Sequence, residues 1–73
     1  MPDWTLNDLT SAERVIQGAF PDATVAVSTQ NMGYAATVSV TLDGHRRTAP
    51  LVKGSPHIAI VALRAYFDGV GVG

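Results

Sequence analysis

Few groups in this chain can move a proton, hold a metal or attack an electrophile. They are His45 and His57, together with the carboxylates Asp3, Asp8, Glu13, Asp22, Asp43 and Asp68. There is no cysteine, so disulfides, zinc–thiolate sites and thiol catalysis are excluded. The histidines do not fall at H-x-H, H-x-x-H or H-E-x-x-H spacing, so no local metal signature exists. His45 reads as a hairpin residue and His57 as a solvated imidazole in the first turn of the last helix. Asp43 suits a turn, Asp8 a helix start, and Asp22 a loop after a proline. Asp68 follows Arg64 by one helical turn, an i,i+4 pair worth about 0.3 kcal/mol. Asp3 and Glu13 read as solvated. Gly69, Gly71 and Gly73 alternate after a helix, whereas a phosphate-cradling loop precedes one. The expectation is a chain that is not an enzyme and takes no cofactor.

The net charge is −1, from five basic and six acidic residues, unlike the strongly basic balance of most nucleic-acid binders. His45, Arg46, Arg47 and Lys53 form the one basic feature. Arg46 and Arg47 are neighbours on a strand and therefore point to opposite faces. Cations on a strand edge serve chiefly to discourage edge pairing. If nucleic acid is bound at all, the candidate contacts are Arg46, Lys53 and His57.

These residues are positioned by five elements. A helix is expected over Leu6–Ala19, with Thr5 as N-cap, Asp8 completing the cap and Leu9, Ala12, Ile16 and Ala19 at helical spacing. Thr10 with Glu13 offers a competing, later start. Trp4 and Leu9 stand at the positions of a hydrophobic staple. Pro21 forces Phe20 out of the helical region. Strands follow over Ala23–Thr29 and Tyr34–Leu42, each alternating with period two, and Asp43-Gly44 signals a two-residue type I′ turn. That turn pairs Val40 with Arg47, Val38 with Ala49 and Ala36 with Leu51. An even-length loop between the first two strands is needed to keep apolar faces together, with Val25 meeting Val38. Pro50 cannot donate to a ladder, so the third strand lies at an edge and the order is 1-2-3. Gly54-Ser55-Pro56 opens the last helix, with Ser55 as N-cap. It is expected to run to about Asp68 and end at Gly69, leaving residues 69–73 as a frayed tail. The expected core is Leu9, Ile16, Val25, Val27, Val38, Val40, Ala59, Leu63 and either Tyr66 or Phe67.

The last helix carries more apolar surface than one sheet can cover. Only His57, Arg64 and Asp68 form a polar stripe, with Val61 within or beside it. A helix lying on a sheet needs an apolar arc of about 100°. The excess, around Ile58, Ala62 and Ala65 or around Ile60 and Phe67, suggests a second buried contact with a protein partner or a second copy of the chain. The outer sheet face, with Thr24, Ala26, Ser28, Thr37, Ser39, Thr41 and Thr48, has no aromatic residue on which a base could stack.

The α-β-β-β-α order resembles that of double-stranded-RNA-binding domains. The likeness is clearest at Gly54-Ser55-Pro56-His57-Ile58-Ala59-Ile60-Val61-Ala62-Leu63, which keeps the glycine, serine and small apolar positions that open that family's last helix. Pro56, His57 and Ile60 stand where the family has phosphate-gripping lysines. The resemblance thus implies a packing skeleton and makes nucleic-acid binding the alternative function. The segment Val38 to Phe67 is also similar, more weakly, to the regulatory domain of isopropylmalate synthases.

With 73 residues the chain reads as one α+β domain, a three-stranded antiparallel meander with two helices on one face. Its N-terminus lacks the regions of a signal peptide, and the apolar run Ile58 to Leu63 is far shorter than the ~20 residues that span a bilayer. The expected setting is the cytoplasm, without a membrane. The expected role is a small protein-interaction module; much Ala, Val, Gly and Asp with Lys53 as the one lysine suggests an accessory or regulatory protein of a GC-rich bacterium or its phage.

Overall fold

A computed structural model describes the backbone of residues 3–72 and the side chains of residues 3–70. The element order is α1 (Leu6–Ala19), β1 (Thr24–Gln30), a single 3-10 turn (Asn31–Gly33), β2 (Ala35–Leu42), β3 (His45–Leu51) and α2 (His57–Val72). The strands form one antiparallel sheet in the order β1-β2-β3.

Helix α1 begins at the earlier of the two starts. The Thr5 hydroxyl accepts from the Asp8 N–H at 3.2 Å, and the Asp8 carboxylate accepts from the Thr5 N–H at 2.9 Å. Two of the four orphan donors of the first turn are thereby satisfied. Trp4 is buried and Leu9 packs half-buried against the same core, as the staple requires. The Trp4 N–H also donates to the Gly33 carbonyl at 3.0 Å, tying the N-terminal arm to the β1–β2 connection.

At the β2–β3 hairpin, Asp43 and Gly44 adopt φ of 52° and 80°, as a type I′ turn demands. Val40 pairs with Arg47, Val38 with Ala49 and Ala36 with Leu51. Between β1 and β2 the parity is as expected but the offset is not: Val25 faces Val40, and Val27 faces Val38. The connection uses four residues, of which Asn31, Met32 and Gly33 all take positive φ, and this sets the pairing two residues away from the expected one. A two-residue turn makes its flanking pair mutually hydrogen-bonded, so along β3 alternate residues aim their backbone groups outward. Pro50 falls on an outward position, where its missing N–H faces the open edge.

Helix α2 departs from expectation at both ends. It starts at His57, one residue beyond Pro56, whose carbonyl accepts from the Ile60 N–H at 3.2 Å. It also continues through Gly69 and Gly71. Glycine weakens a helix by about 1 kcal/mol relative to alanine without forbidding it. Val70 in that extra turn is half-buried and, with Leu42 and Phe67, lines a small cleft at the hairpin end. Gly73, the last residue of the expected tail, lies outside the described residues.

Both helices cover the same face of the sheet. Val25, Ala36, Val38, Val40, Ala49 and Leu51 are buried there with Ile16, Ala59 and Leu63, while Leu9, Val27 and Phe67 are half-buried against them. Among the described residues, the large side chains that are fully enclosed are Ile16, Leu63, Val38 and Val40. Phe20, which from sequence marks only the end of α1, also belongs to the core. Its backbone at φ −130° caps α1, and its ring meets that of Phe67 edge-on at 5.9 Å.

Candidate interaction surface

The last helix carries two apolar faces, and the structure separates them. Ala59 and Leu63 point straight into the core, with Ile60 and Phe67 half-buried toward α1. Tyr66 lies on the other flank, under the guanidinium of Arg47, which sits 4.9 Å from the ring centroid on the edge strand. What remains is an outward stripe. Ile58 is 57% exposed and Val61 67%, and Ala62 and Ala65 are exposed between them. These four follow i, i+3, i+4, i+7 spacing, one continuous face of a helix. Of the two alternative patches, the one around Ile58, Ala62 and Ala65 therefore lies open, and the one around Ile60 and Phe67 is used internally. Val61 joins the open patch although its sequence position suggested the polar stripe. That stripe, His57, Arg64 and Asp68, runs along one flank of it and is exposed.

A second group of open apolar side chains gathers where both helices begin. Met32 is 90% exposed at the tip of the β1–β2 connection, and Leu6, in the first turn of α1, is 80% exposed. Val15 and Val52 flank a groove of about 190 Å³ between α1 and the β3–α2 connection, floored by Trp4 and Ala12. From sequence alone this end reads only as a loop. The signal available was an apolar Met32 held between Asn31 and Gly33, with Leu6 off the Leu9–Ala12–Ile16 stripe. Met32 holds φ 59°, a conformation seldom adopted by residues other than glycine, asparagine or aspartate.

The basic candidates do not converge. Arg46 sits beside the hairpin turn on the outer sheet face and donates to the Ser39 hydroxyl at 3.4 Å. Arg47, on the opposite face, is occupied by Tyr66. Lys53 stands at the far end of β3, roughly 16 Å or more along the strand from Arg46 at about 3.3 Å per residue. It is engaged in a 3.4 Å ion pair with Asp8 and donates to the Asp3 carbonyl. His57 is exposed one helical start away. The Asp8 carboxyl is held below its usual value first by the Thr5 backbone N–H, then by the Thr5 side chain and by Lys53. Lys53 and Asp8 thus brace the N-terminal arm and the β3–α2 connection.

Among the described residues no group of three or more His, Asp or Glu side chains is close enough to share a metal ion. None of the described polar or charged residues is buried. No described helix is long and apolar enough to cross a membrane. Comparison with protein-family models, with curated proteins and with solved structures gives no match. The α-β-β-β-α order is consistent with the resemblance to double-stranded-RNA-binding domains, and a fold by itself assigns no activity.

Proposed function

We propose that this chain is a non-enzymatic protein-interaction module, an accessory or regulatory protein that works through the outward stripe of α2. The observation that carries the reading is the stripe itself. Ile58 and Val61 stand more than half exposed on the side of α2 turned away from the sheet, where neither the sheet nor α1 can reach them. Exposed apolar residues scattered singly need no explanation, whereas a contiguous helical face rimmed by polar groups marks a contact surface. The engagement of Lys53 by Asp8 and Asp3, and the separation of Arg46 from it, weigh against a phosphate-binding surface.

The test places a photo-crosslinking residue at Val61 and, as a control, at Thr48 on the outer sheet face, in the cell of origin. Protein adducts are expected from position 61, with few from position 48, and Ile58→Glu should remove them. Equal yields at both positions, unaffected by Ile58→Glu, would refute the reading. A salt-sensitive shift of duplex RNA or DNA at micromolar protein, lost on substitution of Arg46, Lys53 and His57, would replace it with nucleic-acid binding.

A further inference from the structure

Resting on the reading of the α2 stripe as a contact surface, we infer that its occupant is a second copy of this chain, packed antiparallel about a two-fold axis. The stripe is complementary to itself. An axis placed opposite the midpoint of Val61 and Ala62 sets Ile58 against Ala65 of the second copy, and Val61 against Ala62 of the second copy. Each branched side chain thereby meets an alanine, so the helices approach closely without a void and without a clash. The arrangement is isologous and closes at two copies.

The polar flank agrees with this orientation. A two-fold axis perpendicular to both helices keeps the two polar stripes on the same side of the pair. His57 stands at the start of the stripe and Asp68 near its end, so antiparallel packing brings them together across the interface. In the register set by the apolar pairs, His57 lies two residues, about 3 Å along the axis, from the level of Asp68 of the second copy. An imidazole N–H can donate to that carboxylate, and the symmetry gives two such pairs. Parallel packing, about an axis along the helices, would instead throw the two polar stripes to opposite sides of the pair and leave them without partners across it.

Size supports the same occupant. Ile58, Val61, Ala62 and Ala65 together offer on the order of 300 Å² of apolar surface per copy. With their polar rim, two copies approach ~1,000 Å² in total, the lower limit of a specific interface. The association is therefore expected to be reversible and weak, at micromolar protein. A chain this short, with four large side chains fully enclosed among the described residues, gains proportionately more from such burial than a larger domain does.

Light scattering coupled to size exclusion, from about 5 to 500 μM, tests the inference with three variants. The wild type should pass from one chain to two across the series. Ile58→Ala opens a void and Ala65→Ile introduces a clash, and each should weaken dimerisation by about tenfold or more. The double variant exchanges large and small across the axis and should return to within about threefold of the wild type. Positions 58 and 65 are exposed, so each monomer stays folded, which circular dichroism at low concentration checks. A wild type that remains one chain at 500 μM overturns the inference. So does a dimer indifferent to both single substitutions, which would place the contact elsewhere, such as the uncharged edge of β1. In either case, Ile58→Glu-sensitive crosslinks from position 61 to a different protein would leave the interaction-module reading standing.

Discussion

Val38 and Val61 are the same residue type in opposite situations, and a paired truncation separates core from contact surface. Val38 lies in the central strand with 0% of its surface exposed, between Val27 on β1 and Ala49 on β3. Replacing it by alanine removes two methyl-sized groups, a transfer loss of about 1.6 kcal/mol at ~0.8 kcal/mol each. The neighbours are backbone-fixed strands that cannot collapse into the gap, so a cavity contribution raises the total to about 2–3 kcal/mol. A domain of this length holds roughly 4–11 kcal/mol of stability, and each kcal/mol shifts its midpoint by about 4–8 °C. Val38→Ala should therefore stay folded at 25 °C but lose about 10–20 °C in Tm. Val61→Ala, on the outward face of α2, should change the stability of the dilute monomer by less than about 0.5 kcal/mol while weakening self-association. Urea titration at low micromolar protein, followed by circular dichroism, measures both without a contribution from oligomers. A loss below about 0.5 kcal/mol at Val38, or a loss at Val61 equal to that at Val38, would refute the face assignments of β2 and α2.

Other substitutions probe particular devices. Gly69→Ala should stabilise the chain by about 0.5–1 kcal/mol in thermal melts. An added Cβ there meets nothing within 4 Å and the residue lies inside α2 without a left-handed φ, whereas destabilisation would mean that the helix stops at Gly69. Gly44→Ala should cost about 1–2 kcal/mol in urea unfolding, because φ of 80° is unfavourable for a side chain even with open space around it. Thr5→Ala should cost about 1 kcal/mol, and native-state hydrogen exchange should show the loss concentrated in the first turn of α1. The lowered pKa of Asp8 fixes the sign of one acid effect. Its stabilising contribution is present above the unfolded value of 3.8 and is lost as pH falls through the lower folded value. Asp8→Asn should accordingly flatten the fall of the urea midpoint below about pH 4, and an unchanged acid limb would remove Asp8 from that account.

Local chemistry was enough to read most of the architecture. Thr5 and Asp8 sit three residues apart, Asp43-Gly44 admits one favoured turn, and strict alternation on β1 and β2 leaves one apolar face, so start, turn and face follow from neighbouring residues alone. The register of β3 follows too, because a two-residue turn determines the pairing of everything beyond it. The β1–β2 offset does not, since a four-residue connection with three positive-φ residues has several ways to close. Nor does the end of α2. Gly69 is a stop signal by propensity, yet α2 runs through it, because propensity is a weak preference that the folded context overrides. The candidate surface was half legible for the same reason. A helix apolar around most of its circumference presents Ile58–Ala62–Ala65 and Ile60–Phe67 at equally good helical spacing. Which of these faces lies open depends on where the sheet and Phe20 stand, and Phe20 is brought to Phe67 only by the folded chain. Lys53 and Asp8 show the limit most clearly. Nothing in the sequence links a lysine after the last strand to a carboxylate in the first helix, because their pairing exists only once the sheet has carried both to the same end of the molecule.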